Sequence, residues 1–455
     1  MSNHARLAAL VEGGVGEMGS AQYFQARAAG VVPDVRMNPV LLKPETDSRS
    51  QVVLLGRVHD NLSRLPWLER APLLWQTARS AYLSLQSEYD LIVIEGAGSP
   101  AETNLAASDY VNTGTAKLSE AACLLVADID RGGAFAHLFG THRLMDSVVR
   151  QQVRGFVLNR FRGDPTLLAP GPEDLQALTG VPTLAVIPLV RDHGLPEEDA
   201  VPADSPLGGG PHVVVVAAPH ASNLDEFEPL RAAGARLTFS RDAAAIAQAD
   251  WLILPGSKQT RADLEWLQRR GLTDTIVGHI AANRPTLAVC GGLQILGQWL
   301  EDPDGGEGPL PGAEAGLSVL PLVTRFAKQK HLSRSQARFG HLDGAWAALS
   351  NLAVSGYEIH LGRTQSDASP PQTGMRAALI GEATGDIIGW QCGSVLGLYL
   401  HGLFENPTVL AALLGSSPRS AEPDFNRLAD VIEESFAPGV LDALIRPQES
   451  AAISS

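Results

Sequence analysis

The chain has 455 residues, 45% of them hydrophobic and 19% charged, and its 50 acidic against 35 basic side chains give a formal charge of −15. That length suggests two or three domains with substantial cores. The composition excludes a disordered polymer, and the negative balance argues against gripping a nucleic-acid backbone or an anionic membrane surface.

Cys123, Cys290 and Cys392 are too few and too scattered for a disulfide framework or a structural zinc site. The start is neither a secretory signal nor a transit peptide, and no apolar run reaches bilayer-spanning length. The expectation is a cytoplasmic protein without nucleic-acid or membrane partners.

In chain order, short Val/Ile/Leu runs, each closed by a Gly-bearing turn and followed by an amphipathic stretch, predict an α/β fold of parallel strands buried on both faces. The first series comprises residues 51–55, 90–94, 122–127, 155–158 and 183–187, with helices expected near 66–87, 135–151 and 172–179. A stretch rich in acid, proline and glycine, 196–211, reads as a linker. The second series comprises 213–217, 251–254 and 286–289, with helices near 224–234, 260–282 and 292–300. Beyond 318 come shorter strand-like pieces at 318–326, 356–362, 386–390 and 395–400, then a last helical stretch at 425–445.

Three strand ends of the first series carry chemistry. The run 90–94 ends at Glu95, a carboxylate at the C-terminal strand edge where an open parallel sheet binds ligands, and hence a candidate magnesium ligand. The next ends in Asp128, Asp130 and Arg131 before Gly132-Gly133. The third ends at Asn159-Arg160-Phe161-Arg162, an amide for a base edge and two guanidinium groups for carboxylates or phosphates. Each alone is also what a solvated strand end looks like; three on successive strands point to a site.

The second series holds a sharper signal. Cys290 sits where the strand 286–289 runs into Gly291-Gly292 and a helical pattern, an elbow that exposes a nucleophile and favours its thiolate. The Gly291 amide is placed to help an oxyanion. The alternative is a buried core cysteine, which leaves the two glycines without a purpose. A thiolate needs a base. His401, at the tip of the strand 395–400, is best placed, and His360 competes; alternation puts His360 on one face with Glu358, where the two read equally as a solvated face. The loop Leu254-Pro255-Gly256-Ser257-Lys258 offers further amides for the oxyanion, Gly256 among them, or is a plain turn.

Those three stretches, with Leu254–Lys258, Val289–Gly297 and Tyr399–Phe404 in this order, resemble the class I glutamine amidotransferase domain of the cobyric acid synthase and cobyrinate diamide synthase type over about 212–410. The resemblance implies a flavodoxin-like domain in which Cys290 attacks the glutamine carboxamide, forms a thioester and releases ammonia while His401 shuttles protons. Most class I enzymes carry a glutamate two residues after the histidine; here Leu403 stands there, which leaves the orienter of His401 unknown. Ala288 replaces the usual glycine two residues before the nucleophile.

The first half, including Gly19–Gln22 and Met37–Pro44, is similar to the ATP-dependent, P-loop-NTPase-like domain of the same enzymes, related to dethiobiotin synthetase. That similarity implies ATP as a substrate, Mg2+ held by Glu95, adenine near Asn159 and a reaction centre around Asp128, Asp130 and Arg131, with a corrinoid carboxylate phosphorylated and then aminated. The implied division is 1–195 for the ATP-dependent domain, 196–211 for the linker, 212–410 for the amidotransferase and 411–455 for a helical extension. The partners implied are glutamine, ATP and a corrinoid, and a homo-oligomer is compatible with them. The motif Gly-x-x-x-x-Gly-Lys-Ser/Thr occurs nowhere in the 455 residues. The resemblance places the family's first strand, P-loop and first helix ahead of residue 1, so either the start lies upstream or nucleotide is bound otherwise. As it stands the chain is expected to hydrolyse glutamine and to bind ATP poorly. A non-catalytic corrinoid-binding protein is the rival reading of another class.

Overall fold

The computed structural model describes residues 4–46, 49–190, 193, 195, 209–307, 311–366, 374–415 and 425–445. It forms two compact units, one of residues 1–63 with 194–422 and one of 64–193 with 423–455.

The larger unit is built on an eleven-stranded sheet. Its parallel part runs Arg236–Ser240, His212–Val216, Trp251–Leu254, Thr286–Val289 and Val395–Leu398, in that order across the sheet. Val213, Val214, Val215 and Leu287 are all but inaccessible, which is why these strands read as unbroken apolar runs. The sheet continues antiparallel through Ile387–Cys392, Met375–Gly381 and the long pair Leu322–Phe339 and Ala353–Ser366.

The expected helix over 260–282 is two helices, Thr260–Arg269 and Leu272–Ala281, because Gly271 between them has φ +65. The one expected over 292–300 stops early, as Gly291–Ile295, and Trp299–Asp302 is a strand between Leu322–Phe339 and the edge strand Gly312–Ala315.

The same unit contains the N-terminal segment. Ala5–Ala9 and Val15–Gly19 form an antiparallel hairpin followed by the helix Ser20–Ala28. Residues 51–55, expected as a parallel strand, instead fall in Arg49–Leu54, the middle of an antiparallel sheet with Val40–Thr46 and Arg57–Val58. The reason is local: Leu55 and Gly56 both have positive φ, and a two-residue turn of that kind joins antiparallel neighbours, whereas parallel strands need a long crossover.

The packing therefore divides the chain elsewhere than the boundaries 1–195 and 411–455 expected from sequence. Buried ion pairs between Arg6 and Asp225 and between Glu17 and Lys330 tie the segment before residue 63 to the later half. The linker expected over 196–211 lies, up to residue 208, outside the described residues.

The smaller unit has a three-stranded parallel sheet in the order Cys123–Asp128, Val153–Phe161, Thr183–Pro188, with helices Trp67–Gln86, Ala134–Leu144, Ser147–Gln152 and Gly171–Thr179. The helix expected over 135–151 is divided at Asp146, whose carboxylate caps the second piece by accepting from the Val148 amide at 2.9 Å. Residues 90–94 join no strand ladder; Val93 is 90% exposed and Leu91 53%. An apolar run becomes a strand only through a neighbour's ladder, and Cys123–Asp128 pairs on one side alone, with Val153–Phe161. The helices Phe425–Ser435 and Val440–Ile445 belong here, with Phe436 bridged to Ala185.

Candidate active site

The fully buried strand Thr286–Val289 ends at Cys290, which has φ +49 and ψ −107, and the chain turns at once into Gly291–Ile295. A non-glycine residue with such a φ stores strain, and the surroundings hold it there. The Cys290 amide donates to the Leu398 carbonyl at 2.7 Å. A Cβ on Gly291 would sit 2.7 Å from the Ser257 nitrogen, so no larger residue fits the turn. Cys290 is 5% exposed, with Sγ 3.7 Å from the Ile359 carbonyl oxygen.

His401 follows the strand Val395–Leu398 and is locked by its backbone: its amide donates to the Tyr357 carbonyl at 2.8 Å, and the Tyr357 amide donates to the His401 carbonyl at 3.2 Å. The two rings stack 5.4 Å apart at 15°. Nδ1 of His401 lies 2.9 Å from Oε1 of Glu226, and Oε2 of Glu226 accepts from the Gly402 amide at 2.8 Å. A carboxylate oxygen accepts, so Nδ1 carries the proton. Burial disfavours the imidazolium, but the Glu226 charge, a hydrogen bond with Cys290 and the charge of Cys290 overcome it and push the His401 pKa up to about 10. Cys290, His401 and Glu226 thus form a line in which a carboxylate orients and charges the imidazole that faces the thiol.

Glu226 is the orienter that the sequence left unknown. It sits in the short 3-10 helix Leu224–Phe227, is 2% exposed, and lies 175 positions before His401. In sequence it is one of two adjacent acids at the head of an expected helix, where acids are ordinarily solvated. The neighbouring acid is buried too. Asp225 accepts from Arg6 at 2.6 Å and from the Ser20 hydroxyl at 3.1 Å, and the Ala5 amide donates to Asn223 at 3.1 Å. Arg6 also pairs with Glu405, so the N-terminal hairpin clamps the loop that carries Glu226.

His360, the competing base, donates from Nδ1 to the Gly362 carbonyl at 2.8 Å and has Nε2 3.3 Å from Glu358. Glu358 is 7% exposed, so the pair is a buried one rather than a solvated face. His360 lines the same pocket as Cys290 and His401, but His401 is the one whose protonated form Cys290 favours. Gly256 belongs to a two-residue strand, Gly256–Ser257, paired with Ala221–Ser222; a Cβ there would sit 3.0 Å from the His401 ring. Of the two oxyanion candidates, Gly256 therefore lies against the His401 ring, and Gly291 follows Cys290 directly and packs against Ser257. Gln294, Ser257, Glu307 and Lys330 also line the pocket, and Ala5, Lys43, Pro44 and Gln51 of the N-terminal segment complete it.

In the smaller unit, Asp128 and Asn159 are register partners at the C-terminal ends of adjacent parallel strands. Asp128 pairs with Arg131 at 3.3 Å and with Arg160 at 3.7 Å, and Asp130 pairs with Arg162. Glu95 is exposed and follows residues 90–94, which form no strand, so it does not stand at a strand end.

Residues 212–409 match the family described as CobB/CobQ-like glutamine amidotransferase domain, and residues 73–196 match the family described as AAA domain. The chain is 53% identical over 459 residues to the cobyric acid synthase of Methylibium petroleiphilum, covering 99% of this chain and 90% of that protein. It is 51% identical over 465 residues to the cobyric acid synthase of Leptothrix cholodnii, with the same coverage, and 52% identical over 451 residues to that of Variovorax paradoxus, covering 98% of this chain and 91% of the relative.

Proposed function

Since this chain belongs to the cobyric acid synthase family, we propose that it catalyses the ATP- and glutamine-dependent amidation of the b, d, e and g carboxylates of adenosylcobyrinic acid a,c-diamide. The observation that carries this reading is the buried Cys290–His401–Glu226 line within the matched amidotransferase domain.

The Cys290 thiolate attacks the carboxamide carbon of glutamine, and the tetrahedral oxyanion is taken by backbone amides at Gly291 and Gly256. The imidazolium of His401 gives its proton to the departing nitrogen, and ammonia leaves. His401, neutral again but still held by Glu226, then takes a proton from water as the water attacks the thioester, and glutamate departs with Cys290 restored.

The second half-reaction joins ammonia to a carboxylate activated as an acyl phosphate, with loss of phosphate. Asn159, Asp128, Asp130 and Arg131 are the residues assigned to the nucleotide and the reaction centre. The exposed carboxylate of Glu95 is an oxygen donor of the kind Mg2+ prefers; when bound, the ion would neutralise charge on the phosphates. No described helix is long and apolar enough to cross a membrane, in keeping with a cytoplasmic site of action on small molecules.

The test is glutamine hydrolysis and its chemistry. The chain should release ammonia from glutamine and accumulate a glutamyl thioester on Cys290, visible as a mass adduct after acid quench. Hydrolysis without any adduct on Cys290, or none at all, would overturn the reading.

A further inference from the structure

One buried charge cluster at the wall of the Cys290 pocket has no part in the mechanism above. Glu17, 1% exposed, receives two lysines: Lys330 Nζ lies 2.9 Å from Oε1, and Lys43 bonds to Oε2. The side chains of Lys43 and Lys330 are only 6% and 17% exposed. Both lysines line the pocket together with Cys290, His360 and His401. One carboxylate balances one ammonium; burial and the charge of Lys330 push the Lys43 pKa down to about 8, so near pH 7 Lys43 stays mostly protonated and the cluster holds a net positive charge away from bulk water, where a buried charge is ordinarily paired. The other acid on this wall, Glu307, does not compensate: burial pushes its pKa up to about 8, so it is mostly neutral near pH 7. Glu358 is engaged by His360 and by the Ser335 hydroxyl at 2.6 Å.

A pocket with a thiolate at one point and an uncompensated ammonium at another suits a ligand carrying a carboxamide and an anion. Two methylenes separate the carboxamide of glutamine from its α carbon, so its α-carboxylate must be met within the same pocket. Resting on the glutaminase reading of Cys290, we propose that Lys330 and Lys43, held by Glu17, form the subsite for the α-carboxylate of glutamine. Two of the three side chains come from the N-terminal segment, so the pocket for glutamine is finished by residues far outside the amidotransferase domain in sequence. Selectivity for an amino acid over a simple amide is then a property of both segments together.

The experiment compares glutamine with 4-aminobutanamide, the same chain and amide without the α-carboxylate, as substrates of the full chain, following ammonia release. The wild type should prefer glutamine strongly in kcat/KM. Lys330→Ala should lower that preference by roughly ten- to a hundred-fold, the range a charge-assisted hydrogen bond supports, with the loss expressed mainly in KM, and Lys330→Arg should restore part of it. A wild type that hydrolyses both amides with similar kcat/KM overturns the proposal whatever the variants do. So does a Lys330→Ala enzyme that keeps the wild-type preference. A wild type that hydrolyses neither amide fails one step earlier, at the glutaminase reading itself.

Discussion

Replacing Glu226 by glutamine changes the centre of the site without changing its shape. The carboxylate makes two contacts, 2.9 Å to His401 Nδ1 and 2.8 Å to the Gly402 amide, and both partners are donors. A glutamine amide has one acceptor oxygen, so one of those donors would face an NH2 group, in a place only 2% exposed. Loss of one hydrogen bond to a charged group is worth about 1.5–3 kcal/mol, which predicts a fall in kcat/KM for glutamine of roughly 10- to 150-fold.

The pH dependence separates orientation from simple damage. His401 is held up to about 10 against an ordinary 6.5, with Glu226 the leading favourable cause. Without that charge the imidazolium deprotonates at lower pH, so the alkaline limb of the pH profile moves toward neutrality. The stability linked to the raised His401 pKa is fully present below 6.5 and lost as pH rises through about 10. The thermal gap between wild type and Glu226→Gln is therefore widest in mild acid and narrows toward pH 10. Steady-state ammonia release from pH 6 to pH 10.5, with melting curves at the same points, checks both. A variant with kcat/KM within roughly threefold of wild type and an unmoved alkaline limb would refute the orienting role of Glu226.

Three further outcomes follow from the same geometry. In an enzyme that also carries the P-loop segment, Cys290→Ser should abolish glutamine-dependent amidation yet leave amidation from added ammonia, because free ammonia enters after the thioester; loss of both activities would make Cys290 structural. Arg6→Ala leaves Asp225 buried without its guanidinium partner and should destabilise the larger unit by about 3–5 kcal/mol; denaturant unfolding of the full chain that detects less than about 1 kcal/mol would show that the hairpin clamp is dispensable. Glu307 is pushed from 4.5 to about 8 by burial, so its protonated form favours the fold and that stability drains away as pH rises from about 4.5 through about 8, by on the order of 5 kcal/mol; Glu307→Gln should flatten the pH dependence of the melting temperature across that window, and an unchanged slope would count against a buried neutral acid.

What could be read from the chain was whatever rested on neighbours in sequence. Cys290 was legible because an apolar strand runs directly into two glycines, and His401 because it closes another strand next to a glycine. Glu226 was not, because burial of an acid is a tertiary fact: nothing local distinguishes it from a solvated helix start until Arg6, Asn223 and Tyr357 close around its loop. The antiparallel N-terminal sheet is not legible in the sequence because an apolar run such as 51–55 looks the same whether its partner is parallel or antiparallel, and the deciding feature is the positive φ of Leu55, a residue that seldom adopts it. Residues 90–94 carry the composition of a buried strand, but a strand also needs a partner ladder, which composition does not supply.

In the proposed reaction, nitrogen released at Cys290 ends in four new carboxamides on one corrinoid. The direct measurement supplies adenosylcobyrinic acid a,c-diamide, ATP and glutamine labelled with nitrogen-15 in its amide, and follows the corrinoid by mass spectrometry and its amide resonances. In an enzyme that also carries a P-loop segment ahead of residue 1, four labelled carboxamides should form, at b, d, e and g, with one ATP consumed for each. Labelled amides appearing on the a and c carboxylates of unamidated cobyrinic acid, with the diamide left untouched, would contradict it.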